Sequence, residues 1–395
     1  MSDRGGPKVA GDFSLVLGGP LYQLLLKSRL ARPPIDLLRR RVAVLTLLAW
    51  LPLLVLSAIG GVAFSGVRIP FLKDLDAQVR LLVALPLLLA AEKVVHERIG
   101  PAVALFRDEG IVRPGDAARF AEIEASTIRW RNSFVVELCL LAVAFTMGHT
   151  VWTERLALHK DVWFASATPS GFELSRAGLW YAWFSLPLFQ FLLLRWWYRL
   201  LLWFRFLFLV SRLDLNLSPS HPDRAGGLGF LATSTAALVP VLMAQSALVS
   251  AMIATRILRQ GAALVDFKLE LGGALAFALL QALAPLLVFI PALAQAKRRG
   301  LYEYGTLSSR YVEEFDRKWI RGGADPGEAL VGSADIQSLA DLGNSFEIVK
   351  RMQTVPFYKE TLVPLVLSTA LPALPLVLTV IPLEELVKRL LGAIL

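Results

Sequence analysis

Five ionisable side chains lie inside or at the ends of long apolar runs, where a charge is most costly. Glu92 and Lys93 follow Leu-Leu-Leu-Ala-Ala91, Glu137 sits within Phe-Val-Val-Glu-Leu-Cys-Leu-Leu141, and Arg195 and Arg199 interrupt Leu-Leu-Leu-Arg-Trp-Trp-Tyr-Arg-Leu-Leu201. A charged side chain at mid-bilayer costs roughly 2.5–3.5 kcal/mol on insertion scales, so such a group faces a partner, a water-filled path or the headgroups. All five fall at one depth, which predicts a single buried polar cluster at the inner mouth of a transport path. The competing expectation is that Lys93, Arg195 and Arg199 extend to the headgroups while Glu137 pairs with one of them. Trp196, Trp197, Tyr198 and Trp203, beside those arginines, read as an interfacial aromatic belt.

A second polar run, Ser218-Pro-Ser-His-Pro-Asp-Arg-Ala-Gly-Gly-Leu-Gly229, leads directly into an apolar stretch. Gly226 and Gly227 permit close backbone approach, and a helix N-terminus offers unpaired N–H groups. With His221, Asp223 and Arg224, the run is a candidate loop for binding a phosphate or carboxylate. It lacks the Gly-Lys-Ser/Thr ending of a nucleotide-binding P-loop. The alternative is a packed turn in which Asp223 caps the following helix.

Familiar enzyme chemistry is not indicated. No HExxH, GxSxG or intramembrane serine motif occurs. His96 and His149 fall at opposite ends of their spans and His159 in an outer loop, so no haem pair forms. The single cysteine, Cys139, excludes an intramolecular disulfide and a cysteine-held metal, and is expected to be a small buried hydrophobe. No cofactor and no metal site is implied.

These residues must be positioned by membrane helices. The chain is 55% hydrophobic over 395 residues, with a mean hydropathy of +0.57 and the apolar residues in long blocks. That excludes an ordinary soluble domain, and the absence of period-two alternation argues against a transmembrane barrel. The expected fold is all-α: a polytopic helical membrane protein of about seven spans. They are Val42–Phe64, Val79–Val95, Ser133–Trp152, Leu179–Tyr198, Phe230–Ala254, Leu271–Ala296 and Leu362–Ile381. Pro52, Pro86, Pro187, Pro240 and Pro285 fall inside spans, and Pro364, Pro372 and Pro375 predict a broken last span, crossing or re-entrant. The charge-balanced tail, Glu384-Glu385 and Lys388-Arg389, does not decide between the two.

Of the 41 lysines and arginines, 30 fall on the same side as the N-terminus, and every loop on that side is richer in them than any loop opposite. The N-terminus is therefore placed in the cytoplasm, with Arg39-Arg40-Arg41 holding the first span at the headgroups. The organisation that follows is a leader, 1–41, with a surface helix over Pro20 to Ala31; a six-span bundle, 42–296, including segment 100–132 and loop 211–229; a cytoplasmic helical hairpin, 297–356; and a proline-rich span with its tail, 357–395. No cleaved signal peptide is evident. Asp116 is placed to cap a helix bearing Phe120, Ile123 and Thr127 on one face and running into the third span. In the hairpin, Leu301, Tyr304, Leu307, Tyr311, Phe315 and Trp319 make one amphipathic face, and Ile336, Leu339, Leu342, Phe346 and Val349 another. Its opposite face, with Asp335, Ser338, Asp341 and Asn344 or Ser345, lines a site, binds a cation or is simply solvated.

The 218–229 run, together with Ser333-Ala-Asp-Ile-Gln-Ser-Leu-Ala-Asp-Leu-Gly-Asn-Ser-Phe346, resembles segments of a broad group of bacterial multi-pass inner-membrane proteins that carries no assigned activity. Arginine-rich basic usage, 30 Arg against 11 Lys, agrees with a bacterial source. The leading expectation is a channel or transporter for an ion or small solute. One alternative is a cytoplasm-facing enzyme acting on a lipid or phosphate-bearing substrate, with His221 or Asp223 as acid or base. The other is a scaffold or assembly factor. Expected partners are membrane lipids with anionic headgroups, drawn by the +9 net charge, and a second copy or partner protein through helices 301–320 and 334–352; no nucleic acid is expected.

Overall fold

The computed structural model describes residues 13–30, 36–158, 162–168 and 171–377, by backbone alone at 147–158, 167–168 and 171–172. His159, the tail charges at 384–389 and the end of the seventh expected span lie outside the described residues, as does the His149 side chain. The fold is all-helical apart from one antiparallel ribbon, Ala165–Thr168 with Gly171–Leu174.

Among the described residues, five helices are long and apolar enough to cross a bilayer: Leu38–Ile59, Arg176–Val210, Phe230–Gln260, Leu264–Leu287 and Lys359–Val377. The other two expected spans also fall on helices. Val79–Val95 lies in a helix set apart by Arg80, Glu92 and Lys93, and Ser133–Trp152 in one whose described apolar part, Phe134–Thr146, is short.

The elements are α1 (Pro20–Lys27), α2 (Leu38–Ile59), α3 (Leu75–Val79), α4 (Leu85–Asp108), α5 (Ala117–Arg131), α6 (Phe134–Leu158), α7 (Arg176–Trp180), α8 (Leu186–Val210), α9 (Phe230–Thr235), α10 (Val239–Gln260), α11 (Lys268–Leu287), α12 (Ile290–Phe315), α13 (Ala334–Arg351), α14 (Lys359–Ala370) and α15 (Leu374–Val377). Prolines mark the joints between collinear pieces. Pro86 follows a π-helical turn at Arg80–Ala84 that joins α3 to α4, and Pro187 follows one at Tyr181–Ser185 that joins α7 to α8. A proline cannot donate its backbone bond, and the wider turn upstream absorbs the clash. Three-residue 3₁₀ turns, tighter than an α-turn, mark the joints before Pro240 and around Pro372. The last helix thus continues past all three of its prolines without reversing by Val377.

α8 is the heart of the bundle. Trp203 stacks on Phe206 with ring centroids 5.6 Å apart, and Phe206 meets Phe120 at 6.0 Å and Phe13 at 5.1 Å. Trp196 and Trp203 are buried core residues and do not form an interfacial belt; only Trp197 of that group is exposed. Cys139 is exposed, on the apolar outer face of α6, and is not a buried hydrophobe. α5 buries Phe120 and Thr127 as expected but stops at Asn132, so it does not run into α6. Asp116 accepts from the Asp214 backbone N–H at 2.8 Å and caps no helix with its side chain.

α12 passes without a break from membrane depth into the expected hairpin and packs along α13. The hairpin is pinned at its far end by Asp335, which accepts from Lys318 Nζ at 2.8 Å and Trp319 Nε1 at 2.9 Å. Those two bonds hold the Asp335 carboxyl below its ordinary range, and bonds to Asp335 and Glu328 raise the Lys318 ammonium above its own.

Candidate functional site

Glu92 on α4 is the hub of a buried ionic network. Its Oε2 lies 2.6 Å from Arg41 Nη2 of α2, and its Oε1 lies 2.9 Å from Arg199 Nη2 and 3.4 Å from Arg195 Nη1. Arg195 Nε in turn lies 3.0 Å from Glu137 Oε1 of α6. Arg41 is 2% and Glu92 4% exposed, and Glu137, Arg195 and Arg199 are buried with them. Arg195 and Arg199 reach one partner because residues four apart share a helix face. Trp196, between them, donates from Nε1 to Leu88 O at 2.8 Å, and the Arg199 guanidinium lies 4.8 Å from its ring centroid. Four helices are thereby tied together at one depth.

The fifth component is the N-terminal segment before α1. Phe13, Ser14, Leu15 and Val16 are buried inside the bundle, where a surface leader was expected. Ser14 O accepts from Arg131 Nη1, Val16 O from Arg199 Nη2 at 3.5 Å and Gly18 O from Arg195 Nη2 at 3.1 Å. Leu21 N–H donates to Glu137 Oε2 at 2.8 Å. The backbone comes this close because residues 18 and 19 have no side chain. Both lie at positive φ, +146° and +86°, and a Cβ at Gly19 would stand 2.6 Å from Glu137 Oε1. Ser14 Oγ accepts from the Val16 and Leu17 N–H groups, each at 3.1 Å, and lies 3.1 Å from His96 Nδ1.

Three arginines face two glutamates, and Arg131 adds a fourth cation; burial and the nearby Arg195 push its pKa down to about 10. Arg41 Nε is buried without a hydrogen-bond partner among the described residues. Among those residues the cluster is short of negative charge.

Of the five residues expected here, Glu92, Glu137, Arg195 and Arg199 meet, and Lys93 does not. Lys93 lies next to Glu92 in sequence, about 100° around the helix, so it points outward, 52% exposed, 3.6 Å from Glu97. Arg41 was missed because it ends a basic triplet that resembles a headgroup anchor; Arg39 and Arg40 are exposed, but Arg41 turns inward. Arg80 was missed too. It donates to the Tyr181 hydroxyl, beside Asp74, which accepts from Trp163 Nε1 at 2.8 Å. Fully buried Leu81, Ala84, Leu85, Leu88 and Leu89 separate this second polar layer from Glu92, about 18 Å along the helix.

The 218–229 run is a packed turn organised by Asp223. Its Oδ1 accepts from Ala225 N at 2.8 Å and Gly227 N at 3.1 Å, its Oδ2 accepts from Gly229 N at 2.8 Å, and His221 Nδ1 lies 2.7 Å from Oδ1. Burial raises the Asp223 carboxyl, but the three amides and His221 outweigh it and hold it below the ordinary range. Gly226 and Gly227, at φ +66° and +97°, press against Met352, Leu217 and Ile111. Arg224 is exposed at φ +52°, and its carbonyl accepts from Gln353 N at 2.7 Å. An external anion would have to displace the loop's own carboxylate. Among the described residues no group of acidic, histidine or cysteine side chains is arranged to hold a metal. The chain matches no family model, no curated protein and no solved structure.

Proposed function

We propose that this chain is a multi-pass protein of the bacterial cytoplasmic membrane, N-terminus inside, that moves an ion or small solute across the bilayer. The arginine–glutamate cluster is the cytoplasmic gate of that path, closed by residues 13–19. One observation carries the reading: a cluster with surplus positive charge among the described residues is met by three main-chain carbonyls of an N-terminal segment whose Phe13, Leu15 and Val16 pack into the bundle. A purely structural ion network gains nothing from glycines that admit a loop backbone into it. The second layer at Arg80 and the leucines between the two would keep the path shut in this state. The enzyme alternative loses support because the loop amides are already taken by Asp223.

The gate is tested by flux in reconstituted vesicles. Gly19→Val should unseat the N-terminal segment and raise passage of chloride, phosphate or protons several-fold over the wild type. If neither protein passes any of them faster than protein-free vesicles, the transport reading fails. Orientation is tested separately: reporters fused after Arg40 and after Tyr304 should read as cytoplasmic, and one within 165–178 as external. An external signal at Tyr304 would overturn the placement.

A scaffold role is a second reading, favoured by the far end of the α12–α13 hairpin. Ile320 is 71% and Val331 90% exposed there, beyond any element that covers them among the described residues.

A further inference from the structure

We propose that the arginine cluster is a binding site for an oxyanion of the phosphate or carboxylate type, and that the carbonyls of Ser14, Val16 and Gly18 occupy it as a tethered stand-in. The inference rests on the gate placement above, but binding can be measured without flux.

The three carbonyl oxygens come from alternate positions of one short segment that bends at residues 15–17. They converge on three different guanidinium groups, those of Arg131, Arg199 and Arg195. A single tetrahedral or planar anion presents its oxygens in the same way, and the guanidinium fork matches such oxygens in pairs. A carbonyl brings only a partial charge. Among the described residues, Arg41, Arg131, Arg195 and Arg199 are set against Glu92 and Glu137, so the seated segment leaves positive charge uncompensated there. Two contacts are long, Arg195 to Glu92 at 3.4 Å and Arg199 to Val16 O at 3.5 Å, and Arg41 Nε, on a residue 2% exposed, has no hydrogen-bond partner among the described residues. A full negative charge at the place of the carbonyls would meet the guanidinium groups of Arg131, Arg195 and Arg199 with more than a carbonyl's partial charge.

The glycines serve the exchange as well as the fit. Gly18 and Gly19 bring the backbone against Arg131 and Glu137, where a Cβ at Gly18 would stand 2.6 Å from Arg131 Nη2. Just beyond them, α1 fixes the segment through buried Tyr22 and Leu25. The stand-in can therefore leave while its anchor stays.

The test uses full-length protein in which Cys139→Ser removes the native thiol and Ser14→Cys places a single one in the seated segment. Inorganic phosphate, added at constant ionic strength against chloride, should raise the maleimide labelling rate of position 14 severalfold and saturably. Nanodiscs containing phosphatidylglycerol, in phosphate-free buffer, should do the same if the anion is a lipid headgroup, and phosphatidylcholine alone should not. Independently, Gly19→Val in the native background should bind phosphate roughly tenfold more tightly, the factor by which a segment seated nine-tenths of the time masks a site. Either response supports the site, and the anion that produces it identifies the source. Flat labelling with both phosphate and phosphatidylglycerol, together with equal phosphate affinity in Gly19→Val and wild type, would overturn it. Phosphate binding without flux would sink the transport reading and leave this site standing.

Discussion

Glu92→Gln is expected to lower stability by about 3–5 kcal/mol, enough to deplete the protein from the membrane, because it takes the carboxylate from buried Arg41 and Arg199 and leaves Arg195 with Glu137 alone. Among the described residues, Glu92 is the carboxylate shared by Arg41, Arg195 and Arg199, at 2.6, 3.4 and 2.9 Å. Taking such charges out of water is costly, and their mutual attraction repays the cost only while the set is complete. The amide keeps the shape and removes the charge, so the loss reads electrostatics and not packing. Lys93→Gln, one position along, breaks only an exposed pair with Glu97 and should shift stability by no more than about 0.5 kcal/mol. Glu92→Gln combined with Arg199→Gln should recover part of the loss, since the second change removes one of the stranded cations. Thermal unfolding in detergent reads all three. If Glu92→Gln melts with the wild type, the network does not hold the helices together.

How much of this was legible beforehand follows from what a sequence can encode. Charges inside apolar runs are visible in any membrane protein, and the four-residue spacing of Arg195 and Arg199 fixes their common face, so four members of the cluster were found. Lys93 was wrongly included because depth was read and azimuth was not. Arg41 was excluded by its company, two arginines that do face outward. The N-terminal segment was the hardest to foresee: its contribution is made by carbonyl oxygens, which every residue has, and its only mark is the pair Gly18-Gly19. The long apolar helices were read from hydropathy with ends displaced by up to about three turns, as at Leu287, where α11 stops nine residues short of the expected boundary at 296 and α12 restarts through it. Trp196 and Trp203 looked interfacial because aromatic residues beside arginines usually are; here the arginines are themselves buried, and the rings go in with them.

The loop before α9 yields the second large effect, and the chemistry that argued for an anion site now argues for a self-contained one. Asp223→Ala orphans the amides of Ala225, Gly227 and Gly229, each worth roughly 1–3 kcal/mol if buried; with the loop half-buried, the expected total loss is about 3 kcal/mol. The effect reaches beyond the turn, because the Asp223 carbonyl accepts from the Tyr358 hydroxyl and the neighbouring carbonyl from Gln353, which ties the start of α9 to the approach to α14. Asp223→Asn keeps one acceptor oxygen and should lose about half as much. The depressed carboxyl fixes the pH dependence: its contribution is fully present above the unfolded value of about 3.9 and is lost as pH falls through the lower folded value. Wild-type protein should therefore lose stability below about pH 4 in a way that Asp223→Ala does not. Acetate or phosphate added to Asp223→Ala distinguishes the two readings of the loop. If the three amides converge as an anion nest, either ion should restore part of the lost melting temperature at millimolar concentration. If they serve only to brace the turn, neither ion should raise it above the buffer control, and a wild-type pH profile in Asp223→Ala would show that the carboxylate braces nothing.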